Sequence, residues 1–411
     1  MGIQQTISSR IGSYLSFDKN LRVLLYTSLI MNLGDNLWVP LLGLYITNSL
    51  GVATIAYGLM NTVQGLVSSL TVLPSGFLSD RFGRKNVILL SYVFSISTLV
   101  ALILVRELPM LFLISILRGL TLAFMEPSKS AYIIDVVSED KRGISFATFS
   151  LFQSVSTVVA TSVAGAIANA IGFIWVFSLG LLLETLVLIL TFAYLKESLQ
   201  KVVDDAKSKE ESFYTQFRNC VRILRSPLLL AILFGIVFHQ IGLGIQNPYI
   251  TIYAGNILLF SLPNIGLILG LEQLGILLGH FPSGRLVDKY GGEISFAFHI
   301  VATSPLMILY TVAGNAALAG STLFLWGLTF GLDSVSRQKL IPKYASGSGV
   351  ASAFGMISLI SGLMSLVSPT IGGWIWTSYS PQAVFYTSAA VNVFGSVPLF
   401  LLWYRNRNRT R

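Results

Sequence analysis

Asp35 is a lone carboxylate in the middle of 22–46, a stretch that is otherwise almost uncharged. Asn32, Asp35 and Asn36 stand at i, i+3 and i+4, so a helix places all three on one face. Arg118 sits in the middle of a second such stretch, 109–128, and His239 and Glu272 occupy two more. A carboxyl or an imidazole in such surroundings can bind and release a proton, and an arginine can hold an acid or pair with Asp35. Gln246 follows His239 by seven residues and Tyr253 follows by seven more, so the three share one helical stripe. Trp38 and Trp326 add aromatic surface for an apolar ligand. The plainer alternatives are a structural Asp–Arg pair and a histidine that only packs.

A second group of charged residues lies at the ends of apolar stretches. Pro74-Ser75-Gly76-Phe77-Leu78-Ser79-Asp80-Arg81-Phe82-Gly83 is followed by Arg84 and Lys85. The string Pro282-Ser283-Gly284-Arg285-Leu286-Val287-Asp288-Lys289-Tyr290-Gly291 repeats it at an offset of 208, with six of ten positions identical. A merely solvated basic turn would explain Arg81, Arg84 and Lys85, but not the spacing of glycine and aspartate or its repetition. Glycine permits a tight turn against a neighbouring helix, and Asp80 at a helix end can face a helix N-terminus. Arg84 can pair with a carboxylate on another helix. Glu126 is the expected partner, with Asp333 its counterpart in the second copy.

The elements that carry these residues follow from composition. The 411 residues are 54% hydrophobic and only 11% charged. A soluble domain carries about 25% charged residues, and a fold this apolar would aggregate in water. Apolar runs near 22–46, 55–79, 86–105, 109–128, 146–170 and 173–195 are followed by runs near 227–253, 262–283, 293–313, 315–333, 349–373 and 383–403. Each approaches the roughly 20 residues that a helix needs to cross a bilayer. None alternates as a barrel strand would, so twelve transmembrane helices and an all-α membrane protein are expected.

With the N-terminus placed in the cytoplasm, 25 of the 27 lysines and arginines fall on the cytoplasmic side. Arg106 falls outside and Arg118 within a span. This positive-inside bias predicts cytoplasmic termini and accounts for the net charge of +9 without a nucleic-acid partner. The mixed-charge stretch 196–226 reads as a linker between two six-helix bundles, 22–195 and 227–403, flanked by segments 1–21 and 404–411. The first 21 residues, with Arg10, Asp18 and Lys19, contain no signal-peptide core. Met1-Gly2 with Thr6 is a weak match to a myristoylation pattern. Cys220 has no second cysteine to pair with.

The loop Gly76-x-Leu78-x-Asp80-Arg81-x-Gly83-Arg84-Lys85 resembles the signature of the major facilitator superfamily, and the span count, linker and repeat extend the resemblance over the whole chain. The second copy keeps Gly284, Asp288 and Gly291 but has Gly292 where the first has Arg84. The resemblance implies a central cavity lined by spans one, four, seven and ten, so Asp35, Arg118, His239, Gln246 and Trp326 would face it with Asn32 and Asn36. Glu272 on span eight would border it. Glu184 on span six, a peripheral helix, ranks behind these. The resemblance also implies that the Gly76–Lys85 loop latches the two halves on the cytoplasmic side. Arg118 resembles the arginine of a fourth-helix motif found in proton-coupled members, though Thr121 and Leu122 replace the glutamine and glycine expected there. The antiporter signature lacks its proline at Ala160–Gly165; a similar string, Ser368-Pro369-Thr370-Ile371-Gly372-Gly373, stands in span eleven.

A monomeric secondary transporter is therefore expected, moving a small organic solute by alternating access with protons as the coupling ion. Proton-coupled export of amphipathic or drug-like compounds is the leading reading. Import of a sugar or organic acid with protons is the second, since Asn32, Asn36, Gln246 and Asn247 could bond hydroxyls. A sensor or enzyme is the remote third: no nucleotide-binding loop, metal-ligand spacing or Ser/His/Asp grouping is legible, and no cofactor is called for.

Overall fold

The computed structural model describes residues 18–105, 107–199, 227–344 and 350–409. Arg10, Arg106, Cys220, most of the 196–226 linker and the greater part of 1–21 lie outside the described residues.

Among the described residues every regular element is helical. Helix α1 is Lys19–Trp38, α2 Thr54–Phe82, α3 Arg84–Leu104, α4 Leu108–Val136, α5 Glu139–Ile171 and α6 Phe173–Tyr194. After the linker come α7 Pro227–Gln246, α8 Leu262–Tyr290, α9 Gly292–Thr311, α10 Ala316–Tyr344, α11 Val350–Ser365 and α12 Pro381–Arg409. Helices α1, α7 and α11 each continue past an interruption. Beyond α1, a 3-10 turn at Val39–Leu41 leads to a π turn at Tyr45–Ser49; beyond α7, a 3-10 turn at Asn247–Tyr249 leads to Ile250–Asn256. The breaks after α1 and α7 each fall on a proline, Pro40 or Pro248, which has no amide proton to donate and crowds the carbonyl four residues back.

Eleven of these helices are long and apolar enough to cross a membrane. α2 is not among them, although it has 29 residues: Asn61, Gln64 and several serines and threonines dilute its apolar run. The twelve expected spans thus appear as eleven apolar helices and one long helix of mixed polarity. Several helices also outrun the stretches read from apolarity. α4 continues to Val136, α5 begins at Glu139, and α10 continues to Tyr344. Hydropathy marks lipid depth, whereas the backbone ladder continues into polar sequence until a cap or a glycine ends it.

The chain divides into two compact units. The first holds the described residues within Met1–Val52, Val63–Lys201 and Leu262–Gly270; the second holds those within Ala53–Thr62, Val202–Ser261 and Leu271–Arg411. In the first, α1 packs on α5 and α6, and α3 packs on α4 and α6. In the second, α7 packs on α11 and α12, and α9 packs on α10 and α12. The two packing schemes are the same, shifted by six helices.

The offset of 208 runs through this packing far beyond the loop. Tyr45 meets Phe177 edge-on with ring centroids 4.8 Å apart, and Tyr253 meets Phe385 in the same way at 4.9 Å. A side-chain carbon added to Gly119 would lie 2.7 Å from the Gln64 carbonyl, and one added to Gly327 would meet the Glu272 carbonyl. These two glycines let α4 approach α2 and α10 approach α8 closely, the small-residue packing that membrane helices use in place of a hydrophobic driving force.

Candidate functional site

The first unit places Asp35 beside two other ionisable groups. Asp35 is half-buried on α1, near Arg118 of α4 and next to Glu184 of α6. Glu184 is fully buried and lies beside Asp35 and Ser95 of α3, yet neither of its oxygens makes a regular hydrogen bond. Arg118 holds its guanidinium 4.7 Å above the ring of Trp38, whose buried indole N–H has no partner among the described residues. A cation over an indole face is attracted by the ring's quadrupole, so Trp38 fixes the position of the charge that faces the two carboxyls. Three helices thus bring two carboxyls and one guanidinium to a single place. Glu184 is the residue that sequence reading undervalued: 149 positions separate it from Asp35, and only the packing of α6 on α1 joins them.

Asn32 accepts a hydrogen bond from Thr157 of α5 at 2.8 Å, and the Asn36 amide donates to the Asn32 carbonyl at 2.8 Å. Asn32 and Asp35 line a polar recess of the first unit with Ser28, Thr121, Glu126 and Gln153. The shared face read from the i, i+3 spacing therefore opens onto a recess for these two residues.

The second unit holds the remaining residues in its interior. Gln246 accepts from Ser388 of α12 at 2.8 Å, and Trp326 donates from its indole nitrogen to Thr303 of α9 at 3.2 Å. Both are buried to 1% exposure or less. Glu272 is half-buried on α8. His239 is fully buried and its Nε2 faces Nε2 of His299 at 3.2 Å. Sequence reading found no metal-ligand spacing, but the fold brings ligand atoms of His239, His299 and Asp333 within 4.8 Å of one another. Asp333 spends both carboxylate oxygens on Arg337, at 2.5 and 2.6 Å, which ties it to its own helix.

The signature loop is built around one positive φ. Gly83 has φ +101°, and its repeat partner Gly291 has φ +95°, backbone that side chains rarely adopt. Here glycine is required by conformation. Gly76 and Gly284 lie inside helices, and among the described residues nothing stands within 4 Å of where a side chain would be. α3 starts at Gly83 without a side-chain cap of its own. Glu197, at the head of the linker, supplies one: its carboxylate accepts from the Arg84 amide at 2.8 Å and the Lys85 amide at 3.2 Å. An acid there satisfies amides that the helix leaves open and meets the positive end of its dipole. Lys85 donates to the Phe192 carbonyl at 2.8 Å, and Arg81 lies 5.6 Å over Phe82.

Arg84 pairs with Asp80 and, at 3.2 Å, with Asp135 of α4. The expected partner, Glu126, is instead bonded to Lys129 at 2.5 Å. Both acids are on α4, but nine residues separate them, roughly 13 Å of helix axis, so Arg84 at the start of α3 reaches the one nearer its end. Asp80 is 64% exposed and bonded to Arg84 one turn on. The second copy keeps Asp288, now paired with Lys339 at 2.8 Å, and joins Glu293 to Lys343 at 2.6 Å. Lys343 stands where Asp135 stands and Glu293 where Lys85 stands, so the repeat ties the same two helices with the charges exchanged. A double-mutant cycle on Arg84 and Asp135, read by thermal unfolding in detergent, should give a coupling of about 0.5–3 kcal/mol, whereas Arg84 with Glu126 should give none.

With this geometry in view, comparison with known proteins places the chain. The sequence model of the Major Facilitator Superfamily matches residues 24–243 and again 232–411. The chain belongs to this superfamily. It is 24% identical over 393 residues to the multi-drug resistance efflux pump PmrA of Streptococcus pneumoniae, a match that covers 92% of this chain and 95% of the pump. It is 26% identical over 395 residues to the multidrug resistance protein MdtG of Citrobacter koseri, covering 93% and 94%. Among solved structures, the nucleoside transporter NupG is similar with a TM-score of 0.77 at 15% identity, covering 94% of this chain and 99% of that one. The peptide transporter POT is similar with a TM-score of 0.74 at 16% identity, covering 94% of each chain. At that identity the two structures speak for the fold alone. The chain is thus a multi-pass membrane protein and a transporter of the major facilitator type, with no enzymatic role.

Proposed function

We propose that this chain is a proton-coupled exporter of amphipathic or drug-like compounds, working by alternating access in the cell membrane with both termini in the cytoplasm. The observation that carries the direction is the match to two named multidrug efflux proteins over more than nine-tenths of the chain. The skew of lysine and arginine, 25 of 27 on one side, supports the orientation.

Asp35 is the principal proton site in this reading, with Glu184 and Arg118 as the groups that set its charge balance. Two adjacent carboxyls facing one guanidinium can hold one proton between them or give it up. The arginine then balances a single negative charge or is opposed by two. Charge changes at membrane depth are costly, so a change of proton occupancy here shifts the balance between conformations by a large amount. The Asp80–Arg84–Asp135 cluster serves as the cytoplasmic gating motif, its strength set by how firmly α2, α3 and α4 are tied.

The test is transport into inside-out vesicles with an imposed pH gradient, over a panel of cationic, neutral and anionic amphipathic compounds and of sugars and organic acids. Accumulation of amphipathic compounds at the expense of the gradient is the expected result. Gradient-driven movement of a sugar or organic acid alone would favour the import reading.

A further inference from the structure

We propose that the second unit carries a binding site for an anionic phospholipid, in which an apolar groove takes one acyl chain and Arg285 and Lys289 on its flank hold the headgroup.

The groove has a volume of about 350 Å³, within the size range of pockets that hold small molecules. Leu286 and Tyr290 of α8, Ile294, Ser295 and Phe298 of α9, and Leu332 of α10 line it. Leu332 is buried, whereas Tyr290 and Phe298 are more than half exposed, so the floor is closed and the aromatic walls are open. α8 ends at Tyr290 and α9 begins at Gly292, so the groove starts at one face of the membrane. It runs inward to Phe298, roughly 9 Å along the axis of α9.

The internal repeat accounts for the open space. At the offset of 208, Ala302 and Leu332 correspond to Phe94 and Phe124. In the first unit those two rings meet edge-on with centroids 5.5 Å apart, and they close the same place as an apolar cluster with Leu78, Val87 and Leu120. The second unit has an alanine for one ring, a leucine for the other and Ser295 for Val87. Ala302 stands one turn beyond Phe298, so its missing ring belongs to the same helix face. Ile294 replaces Asn86, whose side-chain amide donates to the Phe82 carbonyl at 2.8 Å, and this makes the outer wall apolar as well. An unfilled slot at lipid depth forfeits dispersion contacts that hydrocarbon would supply, and an acyl chain has the shape and chemistry to supply them.

Charge selects the headgroup. Arg285 stands where the first unit has the exposed Phe77, and Lys289 where it has Arg81. The two are at i and i+4, each one residue ahead of a lining residue of α8, so both cations stand on the same flank of the groove. Lys289 holds its ammonium 5.0 Å over the ring of Tyr290, which sets that charge at the mouth. The neighbouring acids are engaged elsewhere, Asp288 with Lys339 and Glu293 with Lys343. Arg285 and Lys289 are exposed and have no acid partner among the described residues. Two uncompensated cations beside a slot for hydrocarbon attract a lipid whose phosphate carries a net negative charge, and they discriminate against one whose headgroup brings its own cation.

The experiment uses the full-length protein in detergent and a phosphatidylglycerol bearing a photoreactive diazirine on its acyl chain, competed by unlabelled phosphatidylglycerol or phosphatidylcholine. Cross-linked peptides are identified by mass spectrometry. The expected result is labelling between Leu286 and Phe298 that phosphatidylglycerol displaces about tenfold better than phosphatidylcholine. The double variant Arg285→Gln with Lys289→Gln should weaken phosphatidylglycerol by about thirtyfold, roughly fivefold for each cation, and leave phosphatidylcholine unchanged. Both positions are exposed, so this variant keeps its fold. Ala302→Phe, which restores the filling of the first unit, should abolish labelling of the segment with both cations still in place. Equal displacement by the two lipids, or unchanged affinity in the double variant, would overturn the proposal and leave ordinary contact with the bilayer. A dimer in solution that Ala302→Phe dissociates would also overturn it, because a second copy would then cover the groove.

Discussion

Replacing Asp35 by asparagine should reduce gradient-driven accumulation to background while leaving substrate binding and downhill exchange measurable. The amide cannot ionise, so it holds the site permanently in a neutral form, and a change in pH no longer alters the charge facing Arg118. The protein should fold, because asparagine matches the size of aspartate and removes a charge from a half-buried position instead of adding one. Glu184→Gln, made in parallel, separates the two carboxyls. If the proton is shared between them, this variant also loses coupling; if Asp35 acts alone, it keeps most of it. Full accumulation by Asp35→Asn would move the proton site elsewhere, to Glu272 or His239. Reconstituted vesicles with and without a pH gradient provide both readouts.

Arg118→Met should be the more damaging change to the fold. It keeps much of the side chain's length and apolar contact but leaves Asp35 and Glu184 facing each other without a cation. Removing one partner from a buried charged cluster costs about 3–5 kcal/mol, because the remaining charge loses its compensation. The melting temperature in detergent should fall, and the double variant Arg118→Met with Asp35→Asn should recover part of the loss. Arg118→Lys should restore charge and stability in part, but an ammonium stacks less well than a guanidinium on Trp38. A melting temperature unchanged by Arg118→Met would mean that the arginine does not balance the acids.

Much of this organisation was legible because the chain repeats itself. The offset of 208 that links Asp80 to Asp288 also links Pro40 to Pro248, Gly119 to Gly327 and Phe177 to Phe385, and each pair performs the same packing or turning role. Helix number was readable from the apolar runs, α2 among them from 55–79, although its polar residues leave it less apolar than the other eleven. The individual polar contacts were not readable. Glu126 was a reasonable partner for Arg84 by helix and by charge, but Lys129 one turn away satisfies it and Asp135 lies nearer. Glu184 and His299 gave no local sign of their role, since a lone acid and a lone histidine in apolar runs acquire meaning only through the helix that packs against them. Glu197 was read as part of a linker, because nothing in a mixed-charge stretch reveals which acid caps a distant helix.

The central step is the exchange of a proton for a solute at Asp35. The most direct test is the direction of proton movement when an amphipathic substrate is added to inside-out vesicles that hold an acidic interior and a pH-sensitive dye. Wild-type protein should release protons from the lumen as substrate enters, and Asp35→Asn should release none. Protons moving in the same direction as the substrate, or no proton movement during active uptake by the wild-type protein, would contradict it.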